Sequence, residues 1–269
     1  MRRKAIFAEQ GWYPDKRDLA YKQVLANMNW DTSSTPTVAA LVPHAGWAYS
    51  GTIAGKLYAE ITIPDRVLIL CPMHRAGGER VALWAEGVWE IPLGGVEVDK
   101  EFSFALLENS DLVKNDPDSH RLEHAIEIQL PFLKAKNEQV KIVPLRLGRL
   151  SIEECESLAL DIVTQIRKFD GQTLILASSD MSHESDLELV KHNDEVAKEI
   201  ILQMDSRKLM DTVVRRGISM CGYIPTCITM IAASELGAQK ARVVAQSNSA
   251  EISGRFDYVV GYLAVRFDK

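Results

Sequence analysis

Three histidines each lie just past the end of an apolar, strand-like run: His44 closes TVAALVPH, His74 closes VLILCPMH and His183 closes TLILASSDMSH. In open α/β sheets, ligands collect outside the carboxyl ends of the strands. Three imidazoles delivered to such ends therefore point to one shared site. Imidazole is the commonest metal ligand and it titrates near neutral pH. The chemistry expected there is that of a metal or an acid/base centre.

The residues around each histidine sharpen this expectation. In VPHAGWAYSG (42–51), Gly46 and Gly51 let the chain turn after the strand, and Ser50 is expected to cap the helix that follows. That holds His44 on a short rigid turn; taken alone, it could equally be a loop histidine bonded to backbone. In ILCPMHR (69–75), Pro72 ends the strand, Cys71 is expected in the core, and His74 repeats the placement of His44. LASSDMSH (176–183) packs Ser178, Ser179, Asp180 and His183 at the edge of a buried strand. Asp180 can accept a proton or orient an imidazole, and His183 can shuttle protons. The GxSxG elbow that would expose a serine nucleophile is missing, which argues against a serine hydrolase.

Two further segments carry candidate groups. In ISMCGYIP (218–225), Cys221 precedes Gly222 at the expected start of an apolar helix, where a thiolate is favoured and can bind a metal. The alternative for Cys221 is a buried, inert thiol, and Cys155 and Cys227 are assigned to packing. LEHAIEIQLPF (122–132) puts Glu123 and Glu127 one helical turn apart with His124 beside them. A zincin HExxH needs two histidines and only one is present. Glu127 or His124 is expected to support the site from behind its ligands, the alternative being an exposed acidic face.

These groups need elements to position them. Strand-like runs lie at 37–42, 66–71, 81–85, 140–145, 173–178, 242–247 and 257–266. Helical patterns lie at 15–29, where Asp15 is a candidate cap, and at 51–60, 100–109, 123–135, 151–168, 185–204 and 223–236. The stretch 31–37 reads as a loop, and Ser151 with Glu154 forms a capping box. Strands alternating with helices imply a sheet between helical layers. With no repeat and no dividing linker, residues 1–269 are expected to form a single domain.

Composition narrows the class. A net charge of −6 and only short basic clusters argue against a nucleic-acid partner. No apolar run reaches the roughly 18 residues of a membrane span. The basic N-terminus lacks a signal peptide's apolar stretch, so the cytoplasm is the expected location. Four cysteines without a CxxC pair suit neither a disulfide scaffold nor a zinc ribbon.

Taken in order, WYP, PHAGWAYSG, CPMH, LGGVEVD, EHAIEIQLPFL, SSDMSH, CGYIP and a late QSN resemble the Memo family across nearly the whole chain. Members of that family resemble class III extradiol ring-cleaving dioxygenases. The resemblance implies an α/β fold, a three-layer α/β/α sandwich with a central mixed sheet. It also implies a metal at His44, His74 and Cys221, with His183 as the acid/base histidine and Asp180 close by. In the dioxygenases a carboxylate stands where Cys221 stands, completing a two-His-one-carboxylate site for Fe(II). Iron is the leading candidate, and the softer thiolate brings in copper or zinc. Trp12, Tyr13, Trp47 and Tyr49 are candidate pocket walls, with Glu123, His124 and Glu127 around or behind them. The function implied is a metal-dependent redox enzyme of unknown substrate. Its alternatives are a non-catalytic module binding phosphotyrosine-type peptides or a protein partner, and a zinc hydrolase. Bacterial and archaeal members belong to a gene set with AMMECR1-like and radical-SAM proteins, which makes these candidate partners.

Overall fold

A computed structural model describes residues 1–29 and 33–269. Its strands are β1 (Arg2–Arg3), β2 (Ala39–Val42), β3 (Arg66–Pro72), β4 (Val81–Leu83), β5 (Val88–Ile91), β6 (Gly94–Val98), β7 (Lys114–Asn115), β8 (Lys141–Leu147), β9 (Thr173–Ser178), β10 (His183–Glu184), β11 (Lys240–Asn248) and β12 (Val259–Asp268). Its helices are α1 (Ile6–Glu9), α2 (Arg17–Met28), α3 (Trp47–Glu60), α4 (Lys100–Asn109), α5 (His124–Glu127), α6 (Leu130–Lys136), α7 (Ile152–Lys168), α8 (Leu187–Leu202), α9 (Ser206–Arg216), α10 (Tyr223–Glu235) and α11 (Ser249–Ser253).

The strands form one mixed sheet in the order β1-β5-β6-β8-β3-β9-β2-β12-β10, with β11 on β12 and β4 on β8. Its centre, β8-β3-β9-β2, is parallel, whereas β12 runs antiparallel to β2. The apolar strand β3 shows why both faces are covered. Leu68 and Leu70 pack with side chains of α4, α7, α8, α9 and α10 on one face. Val67, Ile69 and Cys71 pack with those of α1, α2, α3, α5 and α6 on the other. Each such Leu or Ile, fully buried, contributes about 1.5–3 kcal/mol relative to exposure. The result is a three-layer α/β/α sandwich on a mixed sheet. Among the described residues, no helix is long and apolar enough to cross a membrane.

Several boundaries differ from the sequence expectation, each for a local reason. Helix α2 starts at Arg17 with Lys16 as its cap residue and no side-chain cap, so Asp15 does not serve. Helix α3 starts at Trp47, behind Gly46, one turn earlier than expected. Ser50 therefore lies inside its first turn, and its Oγ donates to the Ala45 carbonyl instead of capping. The pattern over 123–135 divides into α5 and α6, the second with a proline in its first turn. Helix α9 and the β5–β6 hairpin were not expected. Of the loop expected over 31–37, residues 31 and 32 lie outside the described residues.

Candidate metal centre

Strands β3, β9 and β2 are neighbours in the parallel centre of the sheet, so their carboxyl ends open on one place. His74 follows β3 by way of Met73, His44 follows β2 by way of Pro43, and Ser179 and Asp180 follow β9. Cys221 arrives from a different direction, just before the Gly222 that precedes α10. That glycine is required by close approach: a Cβ there would lie 2.4 Å from Cβ of Ser179. With only hydrogen in the way, the Gly222 amide donates to Ser179 Oγ at 2.9 Å. The start of α10 is thereby seated on the end of β9.

This seating brings Cys221 Sγ to 3.3 Å from His44 Nε2. One ligand atom from each of His44, His74 and Cys221 lies within 4.8 Å of the others. Two ligands of one tetrahedral ion at ordinary bond lengths stand about 3.5 Å apart, so the spacing already approaches that of a shared ion. The His44 and His74 rings are nearly perpendicular, at 89° with centroids 4.9 Å apart.

Behind the imidazoles lies a layer of hydrogen bonds. His74 Nδ1 meets Glu123 Oε1 at 2.8 Å, and the His74 amide donates to Glu123 Oε2 at 3.2 Å. Glu123 also caps α5 by accepting from the Ala125 amide. Burial alone would raise this carboxyl, but the His74 hydrogen bond, the charges of His74 and His124 and the Ala125 amide outweigh it and hold it at about 2. With a carboxylate as its partner, His74 donates from Nδ1, and its neutral ring carries the lone pair on Nε2. Arg146 fixes the same loop from below, donating to the carbonyls of Arg75 and Gly77.

His183 is set by backbone. Its Nδ1 lies 3.0 Å from the Ser219 carbonyl, which can only accept, so Nε2 carries the lone pair. Asp180 does not orient that ring. Its Oδ1 accepts from the amides of His44, at 2.7 Å, and Ala45, at 3.2 Å, and so fastens the turn that holds His44. Burial pushes the Asp180 carboxyl up to about 6, against the pull of those amides and of His183. Burial likewise pushes the His44 and His124 imidazoles down, with repulsion from His74 next, His124 reaching about 4.

His44, His74, His124, His183 and Asp180 border a pocket of about 470 Å³ that also has Trp12 and Tyr49 in its walls. The Trp12 ring packs on His124, with centroids 4.5 Å apart. Tyr13 and Trp47 are not walls: both are buried, Tyr13 donating to Glu127 and Trp47 to the Ile128 carbonyl. Neither Glu123 nor Glu127 forms an exposed acidic face, being 1% and 0% exposed. Glu127 accepts instead from Arg3, the amides of Phe7 and Ala8, and Tyr13, which binds the N-terminal segment down. Sequence reasoning missed Gln129, Ser219 and the rim segment carrying Arg255 and Tyr258. Ser178 was placed among the polar groups at a buried strand's edge and weighed as a nucleophile, but its partners were not foreseen, although a hydroxyl ending a buried strand must find some.

A family model described as Memo-like protein matches residues 3–266. The chain belongs to the Memo family. Its relatives include a MEMO1 family protein of Saccharolobus solfataricus, 41% identical over 232 residues, covering 84% of this chain and 81% of that protein. Another, from Methanobrevibacter smithii, is 39% identical over 225 residues and covers 82% and 80%. Among solved structures, an uncharacterized protein from Escherichia coli K12 aligns with a TM-score of 0.54 at 11% identity, covering 85% of this chain and 98% of that one. That likeness is one of fold alone.

In this Memo-family chain the donor set of two imidazoles and a thiol fits an iron, copper or zinc ion better than a hard cation. Burial, and then the Asp180 carboxylate, push the Cys221 thiol up. A cation beside it supplies the charge that a thiolate needs there, so metal binding would release a proton.

Proposed function

We propose that the chain is a metal-dependent redox enzyme in which His44, His74 and Cys221 hold iron. One observation carries this reading: three donor atoms converge within 4.8 Å, and two of their residues, His44 and His74, line a pocket that also holds His183. The bond from His74 Nδ1 to Glu123 supports it, because metal-binding imidazoles are usually fixed in this way from behind. Bound there, iron would supply one-electron chemistry and open positions for a small substrate. The chain's own groups do the rest. His183, with Nδ1 committed to Ser219, offers Nε2 to take a proton from the substrate and return it. Asp180 keeps the His44 turn in place through two amides. Trp12 packs on His124 and forms that side of the pocket wall. The reading includes a cytoplasmic location, in keeping with four free cysteines.

The test is to purify the chain without oxygen and count bound metals, beside His44→Ala and Cys221→Ala. Near-stoichiometric iron, lost in both variants, supports the reading, whereas copper lost in both keeps the ligands and the redox claim but overturns iron. Zinc lost in both keeps the ligands but moves the chemistry to hydrolysis and overturns the redox claim. No metal after reconstitution with each ion removes the reading altogether. The pocket would then be a binding site, with Tyr49, Arg255 and Tyr258 in its walls to meet a phosphotyrosine-type peptide.

A further inference from the structure

We infer that Ser178 is a positioning residue that fixes which nitrogen of His44 carries the proton. His44 Nδ1 lies 3.0 Å from Ser178 Oγ, and its other nitrogen, Nε2, faces Cys221. The distance alone does not say who donates, because imidazole nitrogen and hydroxyl can each play either part. The neighbours decide it. Gln129 Nε2 lies 2.9 Å from the Pro43 carbonyl, and a carbonyl only accepts, so the amide nitrogen must face this way. Its Oε1 then accepts from the Tyr58 hydroxyl at 3.0 Å. The same Nε2 donates to Ser178 Oγ at 3.2 Å. Ser178 Oγ also stands 2.8 Å from the Ala125 carbonyl, a second group that only accepts.

Ser178 has one hydrogen, and two oxygens 2.8 Å apart with none between them would repel. The hydrogen therefore goes to Ala125, and Ser178 has only acceptor capacity left for His44. His44 is thereby held with its proton on Nδ1 and a bare Nε2 aimed at the space shared with Cys221 and His74. Every member of this chain of bonds is buried, so water does not compete for it. Free histidine in water favours the opposite arrangement, with the proton on Nε2. In that form the N–H would point at Cys221 and block ligation. Two acceptor-only carbonyls, Pro43 and Ala125, thus set the donor directions from Gln129 to the candidate ligand.

The assignment stands on hydrogen bonding alone; only its consequence for affinity rests on the metal reading. The direct test is a long-range proton–nitrogen correlation spectrum of the full chain, labelled at histidine and stripped of metal by a chelator. His44 is expected with Nδ1 protonated and Nε2 bare. Ser178→Ala should move His44 toward the Nε2-protonated form while His74 and His183, held by Glu123 and Ser219, stay unchanged. Ser178→Thr, which keeps the hydroxyl, should restore the original pattern. Cobalt(II) titration should show affinity falling about 10- to 100-fold in Ser178→Ala and largely recovered in Ser178→Thr. A wild-type His44 with Nδ1 bare overturns the inference, even if no variant folds. So does a Ser178→Ala spectrum identical to wild type. Because the spectrum is read without metal, it can succeed where the redox reading fails, and the reverse.

Discussion

At the scale of single residues, the candidate ligands lean on partners far away in the chain: Glu123 lies 49 residues from His74, and Ser178 lies 134 from His44. His44 and His74 announce themselves because each lies two residues past a strand whose apolar run is visible in one dimension, whereas His183 begins β10, five residues beyond the end of β9. Glu123 was expected around or behind the pocket, but its bond to His74, like those of Ser178 and Gln129, joins residues distant in sequence, and no local pattern encodes such partners. His120 is a similar case, unremarked in sequence yet fully buried, with Nε2 donating to the Ala82 carbonyl and Nδ1 without a partner among the described residues. Burial lowers its pKa from 6.5 to about 4, with the Ala82 bond opposing and Arg3 and Arg146 adding to the drop. The unfolded chain takes up this proton near pH 6.5 and the folded chain only near 4. Between those values the unfolded state binds more protons, so stability falls as pH falls, by about 3 kcal/mol in all. Above pH 6.5 the group contributes no slope. His120→Phe should remove this one-proton share of the acid lability, seen as a shallower loss of urea stability from pH 6.5 to 4. An unchanged slope would mean that His120 is charged in the fold or accessible to water.

At the scale of elements, legibility followed how completely the determinants are local. Helix α7 was read to its ends because its start is a side-chain signal and its stripe is regular. Ser151 Oγ accepts from the Glu154 amide at 3.2 Å while Glu154 accepts from the Ser151 amide at 2.8 Å. Cys155, Leu158, Ala159 and Ile162 are all fully buried along the stripe. Helix α3 was read one turn short because it starts behind Gly46, which has no side chain to mark a cap. Helix α9 was missed because five of its eleven residues are charged and only Leu209, Thr212 and Val213 are buried, a short apolar stripe. The strands of the β5–β6 hairpin alternate only briefly and pair beyond the parallel centre, so their placement depends on β8. The local case permits a clean prediction. Ser151→Ala should cost about 1 kcal/mol, measured by urea unfolding at neutral pH. A loss near zero would mean that Glu154, which also pairs with Arg80, holds this end of α7 without the serine.

At the scale of the whole molecule, the candidate centre joins residues 177 apart in sequence, His44 and Cys221, so only the finished sheet can assemble it. One wall is added by the first fifteen residues, and a buried ion pair decides whether that wall stays. Arg3 and Glu127 meet at 2.6 Å with side chains 1% and 0% exposed. Arg3 also donates to the carbonyls of His120 and Glu123 and lies over Trp89, 4.2 Å from the ring centroid. The other Glu127 oxygen gathers the amides of Phe7 and Ala8 and the Tyr13 hydroxyl, just around the segment that carries Trp12. The Trp12 carbonyl in turn accepts from the Trp47 amide at the start of α3. Such a pair adds little over apolar packing, but removing one partner strands the other charge, at about 3–5 kcal/mol. Arg3→Met should therefore lower urea stability by that amount and expose the N-terminal segment to proteolysis. Adding Glu127→Gln should recover part of the loss, because the stranded charge disappears while an amide oxygen still accepts from Phe7 and Tyr13. If the double variant is no more stable than Arg3→Met, the cost lies in the lost packing on Trp89 and the lost carbonyl bonds, and the ion pair is not what holds the wall.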